Sequence, residues 1–136
     1  MKLKTLVSLI LSLTLAGATA MLALASSGQS AKLPADFPKD VPIYKNSTVT
    51  SYGPLIPGNT QAGNVLILET SDAKADVLAF YKKELPANGW KMEKPYSGSP
   101  DALQGRKGER MISFAVTESH FGPKQVTKIQ IGLMGQ

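Results

Sequence analysis

One segment of this chain has the apolar spacing of an amphipathic helix, and the patterned segments around it have the composition of strands. Its apolar residues fall on one helical face: Val77, Leu78, Tyr81 and Leu85. Thr70 or Ser71 is expected to cap the N-terminus, and Pro86 is expected to end the helix after about 14 residues. A single helix with one apolar face needs a sheet to cover that face.

Six segments have the pattern of β-strands. Some are rich in β-branched and aromatic residues, and others alternate apolar with polar side chains: residues 48–52, 64–70, 90–94, 102–106, 111–117 and 126–133. Residues 53–63 contain Gly and Pro turn signals and are expected to form a loop. Strict alternation is typical of antiparallel strands with one exposed face. The sequence therefore predicts an α+β fold, with a single helix packed on a mostly antiparallel sheet of about five to six strands.

The N-terminus has the features of a secretory signal. Lys2 and Lys4 precede an apolar run over residues 6–25, which ends in small residues that suit a cleavage site. The alternative is an uncleaved anchor that leaves the domain outside, because a span of about 20 apolar residues crosses a bilayer. Both interpretations export the domain. We therefore expect a periplasmic or secreted protein, with no transmembrane domain once the signal is cleaved.

The chain accordingly divides into a signal peptide, a flexible linker and one α+β domain: residues 1–25, 26–36 and 37–136. It contains no cysteine, so it has no disulfide, no lipid-bearing cysteine and no thiolate metal site. Two of the 15 Lys and Arg lie in the predicted signal, which leaves a surplus of three positive charges over the ten Asp and Glu. That surplus favours an anionic partner only weakly, and it is too small to indicate a nucleic-acid-binding protein.

The segment before the first strand is rich in proline and should be extended and irregular. It carries the motif Phe37-Pro38-x-Asp40-Val41-Pro42-Ile43-Tyr44, and the helix region carries Phe80-Tyr81-x-x-x-Leu85-x-x-x-Gly89-Trp90. Together the two motifs resemble those of a small α+β domain, without an agreed activity, in exported bacterial proteins and lipoproteins. This chain departs from the lipoproteins in having no cysteine, and the resemblance implies no catalytic residues. The residues of these motifs have a structural interpretation: Phe80 or Tyr81, Leu85 and Trp90 would form one apolar cluster where the helix meets the sheet, with Gly89 allowing the chain to reverse. The alternative is that the aromatic residues form a platform for a ligand.

Catalytic and metal-binding patterns are weak throughout the sequence. His120 is the only histidine, is expected in a loop between the last two strands, and follows no nucleophile motif of the Gly-x-Ser-x-Gly type. Asp72 and Asp76 are explained by the helix dipole, and no carboxylates have the spacing of a metal site. We therefore expect no cofactor, no metal and no catalytic residue.

Five basic residues are the candidate partner contacts, because they can meet at one edge of the sheet if the middle strands are neighbours: Lys91, Lys94, Arg106, Lys107 and Arg110. The competing interpretation is that basic side chains on edge strands prevent aggregation. The favoured function is a non-enzymatic binding or accessory module of unknown ligand that contacts a protein partner or an anionic envelope component. The alternative is a small periplasmic or secreted hydrolase with a carboxylate-based site.

Overall fold

A computed structural model describes residues 32–135 of the chain. The predicted signal peptide and most of the predicted linker lie outside the described residues. Within that range the chain forms six strands and one helix: β1 (Thr48–Ile56), β2 (Asn59–Thr70), α1 (Lys74–Ala87), β3 (Lys91–Glu93), β4 (Ala102–Lys107), β5 (Arg110–Phe121) and β6 (Lys124–Met134). The helix is too short to cross a membrane.

The strands form one sheet in the order β1-β2-β6-β5-β4-β3, and every neighbouring pair is antiparallel. The β1–β2 hairpin forms one half, and the meander from β3 to β6 forms the other. The two halves meet where β2 pairs with β6. The helix packs across one face, here called the inner face, and contacts mainly β3, β4 and β5. The predicted α+β class with a single helix on an antiparallel sheet is confirmed.

The helix buries the face that its apolar spacing predicts. Val77, Leu78, Tyr81 and Leu85 are all buried against the inner face of the sheet. Trp90 lies beside them with 2% of its surface exposed, directly after Gly89, whose φ of 85° lets the chain reverse into β3. The aromatic and aliphatic core predicted at the helix–sheet contact is therefore confirmed.

Residues 33–47 form an irregular segment, here called the strap, that covers part of the inner face. Val41 and Tyr44 are buried in the core, and Leu33, Phe37 and Ile43 pack against it. The Phe37 ring meets the ring of Tyr52 in β1 edge-on, with centroids 5.7 Å apart. Because β1 is the edge strand farthest from β3, the strap covers a region that the helix does not reach.

The predicted loop over residues 53–63 is wrong. β1 continues to Ile56 and β2 begins at Asn59, so only Pro57 and Gly58 connect them. Gly58 adopts a φ of 79°, which permits the tight turn. Pro54 is tolerated because β1 is an edge strand with an irregular register at that point.

The predicted side-chain cap of the helix is also wrong. The N-cap is Ala73, and no side chain of its own segment caps it. Instead, the backbone N–H of Lys74 donates to Glu118 Oε2 at 2.9 Å, so a carboxylate from β5 binds the first turn. The Thr70 hydroxyl accepts a hydrogen bond from the backbone N–H of Asp72, and this bond stabilises the turn before the helix. Pro86 lies in the last turn, and the helix ends one residue later.

Truncating the buried tryptophan should destabilise the domain without changing its fold class. Trp90→Ala is expected to lower the free energy of unfolding by about 3–5 kcal/mol, as for other large aromatic core truncations. Denaturant unfolding followed by circular dichroism measures this, because the variant removes the only tryptophan. Tyr96→Ala, at a fully exposed ring, is the control and should unfold like the wild type. An unchanged midpoint for Trp90→Ala would contradict the core assignment.

Candidate functional site

Two of the five candidate basic residues bind the strap. Lys107 and Arg110 face each other across the β4–β5 turn and both point to the side that carries the helix. Lys107 Nζ lies 2.8 Å from Asp40 Oδ2, and Arg110 contacts both oxygens of Asp40, at 2.7 and 3.0 Å. We call these three residues the Asp40 clasp. The bidentate contact with the Arg110 guanidinium is the main reason why the pKa of Asp40 is lowered to about 2.

The Asp40 clasp is continuous with the core. The Arg110 guanidinium lies over the Trp90 ring, 5.0 Å from its centroid, and Trp90 Nε1 donates to the backbone oxygen of Asp40 at 2.7 Å. A second attachment lies further along the strap, where the N–H of Tyr44 donates to the Tyr81 hydroxyl at 3.1 Å. Lys107 and Arg110 therefore have a structural role that the sequence did not indicate.

The remaining candidates lie elsewhere. Lys91 and Arg106 are directly paired across β3 and β4, so their side chains share the outer face of the sheet, opposite the helix. Arg106 Nε lies 3.1 Å from Glu93 Oε1 on the same face. Lys94 follows β3 and is exposed. Because adjacent residues of a strand point to opposite faces, Arg106 and Lys107 cannot share one patch. That the five basic residues contact a partner stays a prediction, although Lys107 and Arg110 are already engaged with Asp40.

The outer face carries a shallow trough of about 260 Å³. Its lining includes the small residues Ser113, Ala115 and Gly132, with Leu55 at one side and Tyr96 at the other. A Cβ at position 132 would lie 2.7 Å from the Ser113 hydroxyl oxygen, so a larger residue there would displace the Ser113 side chain and fill part of the trough. No lining residue of the trough has an ionisable side chain apart from the Tyr96 phenol. The exposed ring of Tyr96 therefore lies beside a trough that has no charged side chain in its lining.

A larger cleft of about 900 Å³, here called the polar cleft, opens where β2 stops. β2 makes its last pair with β6 between Thr70 and Thr127, while residues 124–126 of β6 continue beside β5 alone. The chain leaving β2 turns toward the helix, which leaves a gap between the start of β1 and the start of β6. Gln125 reaches into this gap and donates to the backbone oxygen of Ser71 at 3.3 Å.

Glu69 is the carboxylate of the polar cleft. It is half-buried, and it is directly paired with Thr48 of β1 and Lys128 of β6. Within residues 32–135 its side chain makes no ion pair within 4.0 Å and no hydrogen bond. The nearby Asp72 differs, because it accepts hydrogen bonds from the Tyr44 hydroxyl at 2.6 Å and from Asn46 at 3.1 Å. The bond to Asp72 is the main reason why the pKa of Tyr44 is raised to about 12.

The histidine and the carboxylates do not assemble into a recognisable catalytic group in the described part of the chain. His120 lies inside β5 and not in a loop, with 62% of its side chain exposed and Nε2 3.6 Å from Glu118 Oε1. Glu118 is already bound to the helix N-terminus. The polar cleft contains one carboxylate, Glu69, and the trough contains none. Among residues 32–135, no three His, Asp or Glu side chains group as metal ligands.

Comparison with known protein families assigns the domain. The model of the START domain-like family matches residues 48–126, which is more than half of the chain. The chain belongs to the START domain-like family. START-like domains are generally binding domains and not enzymes. No curated protein and no solved structure matches the chain.

The match to the START-like family begins at the first residue of β1 and ends inside β6. The strap, residues 33–47, precedes the matched region, and so does Asp40. Lys107 and Arg110 lie within it. The Asp40 clasp therefore joins a segment outside the family match to the START-like sheet.

The Asp40 clasp should make stability depend on pH in the acidic range. Asp40→Asn is expected to lower the free energy of unfolding by about 1 kcal/mol at neutral pH, the upper range for accessible ion pairs. The folded pKa of about 2 lies below the ordinary aspartate pKa of 3.8, so the contribution of Asp40 is present above pH 3.8 and is lost as the pH falls toward 2. The difference between variant and wild type should therefore shrink over that interval.

Urea unfolding at several pH values, followed by tryptophan fluorescence, measures this difference. Glu109→Gln is the control, because Glu109 is exposed and makes no ion pair within the described residues. A gap between Asp40→Asn and wild type that stays constant from pH 7 to pH 2 would show that the ion pairs of Asp40 do not hold the strap.

Proposed function

We propose that this START-like domain is a non-enzymatic exported module that binds a protein partner or an anionic envelope component through the outer face of its sheet. The observation that carries the proposal is the trough on that face, with an exposed tyrosine beside it and basic side chains near it. The family is one of binding domains, which supports the same conclusion. The hydrolase alternative has less support, because neither the trough nor the polar cleft contains a pair of carboxylates.

The size of the trough favours contact with a surface over enclosure of a small molecule. Sites for drug-sized ligands usually measure about 300–1,000 Å³, and the volume of the trough lies below this range. A shallow apolar depression of this kind can accept one or two side chains of a partner. Tyr96 is suited to such a contact, because exposed tyrosines frequently become buried anchors at interfaces.

The charges near the trough favour an anionic partner. Lys91 and Arg106 occupy the outer face of β3 and β4, and Lys94 lies between β3 and Tyr96 in the chain. Glu93 offsets part of this charge through its ion pair with Arg106. Positive side chains at the rim of an interface mainly increase the association rate, and their effect falls with salt. The trough would supply affinity, and the basic residues would supply selection for negative charge.

Affinity capture with the full-length protein tests this proposal. Envelope extract is passed over the immobilised protein at low and moderate salt, and bound proteins and glycans are identified by mass spectrometry. Tyr96→Ala and Arg106→Glu are each expected to reduce capture of the specific component by at least about tenfold, as for truncated interface anchors. Neither change should alter folding, because both side chains are exposed.

Lys83→Glu is the matched control for Arg106→Glu, since it makes the same charge change on the exposed side of the helix. Charge reversals at Lys107 and Arg110 are unsuitable, because they would break the Asp40 clasp. Equal capture by all variants would exclude the outer face as the binding surface. Absence of a captured component at either salt concentration would reject the binding proposal and make the hydrolase alternative the next hypothesis to test.

Export of the protein has its own test. If residues 1–25 are a cleaved signal, intact-mass and N-terminal peptide analysis of the exported protein should give a chain that begins at Ser26. A protein that retains Lys2 and sediments with membranes would support the anchored alternative. Retention in the cytoplasm would contradict both interpretations.

A further inference from the structure

We propose that the polar cleft is a second binding site and that it takes a neutral saccharide. The cleft is separate from the trough on the outer face. The two sites share no lining residue, and their nearest lining residues on β6, Val126 of the cleft and Gln130 of the trough, lie four residues apart, which is about 13 Å at the usual rise of a strand. The inference therefore goes beyond the proposed partner contact and does not depend on it.

The shape of the cleft suits a small soluble ligand. Its volume of about 900 Å³ lies in the range of small-molecule sites. It exists because β2 ends before β6 does, so residues 124–126 of β6 have no strand on that side within the described chain. The edge of β6 and the start of β1 form its two walls.

Uncharged hydrogen-bonding side chains dominate the lining of the cleft. Six of its residues have hydroxyl or amide groups: Asn46, Thr48, Thr50, Thr70, Ser71 and Gln125. The hydroxyls of Thr48 and Ser71 make no hydrogen bond within residues 32–135. Hydroxyls both donate and accept, as the hydroxyls of a sugar ring do. The lining can therefore exchange hydrogen bonds with a polyol without burying an unmatched charge.

Glu69 supplies the strongest acceptor in the cleft. Its carboxylate is half-buried and has no partner within the described residues, although Lys128 is directly opposite on β6. A partly buried carboxylate loses some of its hydrogen bonds to water, and without a partner it has no protein contact that replaces them. Two adjacent hydroxyls of a pyranose can donate to its two oxygens. Lys124 adds one positive charge to the lining, so the cleft as a whole has no net charge and gives no advantage to an ionic ligand.

Phe121 does not line the cleft, but it is adjacent to one of the lining residues and offers a stacking surface there. Its side chain is 71% exposed, and no contact in the described chain explains a ring in that position. Phe121 is directly paired with Lys124, which lines the cleft, so the two side chains point to the same face with their Cβ atoms about 5 Å apart. An exposed ring beside a hydroxyl-lined cleft can pack against the apolar C–H face of a sugar.

Nuclear magnetic resonance titration of the ¹⁵N-labelled full-length protein tests the proposal. The probes are three neutral trisaccharides, namely triacetylchitotriose, cellotriose and maltotriose, with trialanine capped by an N-acetyl group and a C-terminal amide as an uncharged peptide control. At least one saccharide should produce saturable shifts with a Kd of about 1 mM or tighter. The shifted amides should include those of Thr48, Glu69, Ser71 and Gln125, and they should exclude the trough. Saturable shifts with trialanine alone would assign the cleft to peptides and overturn the proposal.

Variants distinguish the cleft from a general surface effect. Glu69→Ala and Phe121→Ala are each expected to weaken the saccharide by about tenfold or more, as for the loss of an interface anchor. Glu109→Ala removes an exposed carboxylate at the β4–β5 turn, and Tyr96→Ala removes the exposed ring beside the trough; both controls should bind saccharide like the wild type. Glu69→Gln keeps the size of the side chain, so it preserves the test if Glu69→Ala unfolds.

The experiments distinguish the failure of one proposal from the failure of the other. Loss of partner capture in Tyr96→Ala with unchanged saccharide affinity supports two sites. Absence of saturable shifts with all three trisaccharides, or equal affinity in the wild type and both cleft variants, would overturn the saccharide site. Neither of these last two outcomes would affect the proposal for the outer face.

Discussion

The contact between Asp40 and the cations of β4 and β5 determines how the inner face of this domain is closed. One helix of 14 residues packs mainly on β3, β4 and β5, and it leaves apolar surface exposed toward β1. The strap covers that surface with Val41, Tyr44 and the ring of Phe37. It has no ladder of backbone hydrogen bonds to hold it, so its position depends on a few side-chain contacts. Among them, the Asp40 clasp has the most charge and direct contact with the core, through Trp90.

The pattern of the sequence was sufficient to predict the elements that regular periodicity determines. The helix buries the residues that its spacing indicated, and the alternating segments became antiparallel strands. Local turn chemistry was harder to interpret. Gly53 and Pro54 suggested a loop, but both positions are accommodated in an edge strand whose register is irregular. The cap at Lys74 could not be predicted, because it comes from Glu118, which lies 44 residues away in the chain.

The arrangement of the candidate basic residues was also only partly predictable from the sequence. Lys91, Arg106, Lys107 and Arg110 are close in space because the middle strands are neighbours, yet they divide between two faces of the sheet. The alternation of side chains along β4 separates Arg106 from Lys107, and this could be deduced from the sequence. The role of Asp40 could not, because the strap has no periodicity that would reveal which way its carboxylate points. The two concave sites were missed for a related reason, since the polar cleft depends on where β2 ends beside β6 and the trough depends on which small side chains of β5 and β6 lie opposite each other.

The central place of β6 has a consequence for folding. The β1–β2 hairpin and the β3–β5 meander are joined in the sheet only through β6, the last strand of the described chain. Its pairing with β2 closes a loop of more than fifty residues. The complete sheet can therefore form only after a contact between residues far apart in the sequence, which is a slow step in folding. Until β6 pairs with both of its neighbours, β2 and β5 each have an unpaired edge. The apolar side chains of the inner face then do not lie on one continuous sheet. A nascent chain whose β6 has not yet left the ribosome would therefore remain without its core.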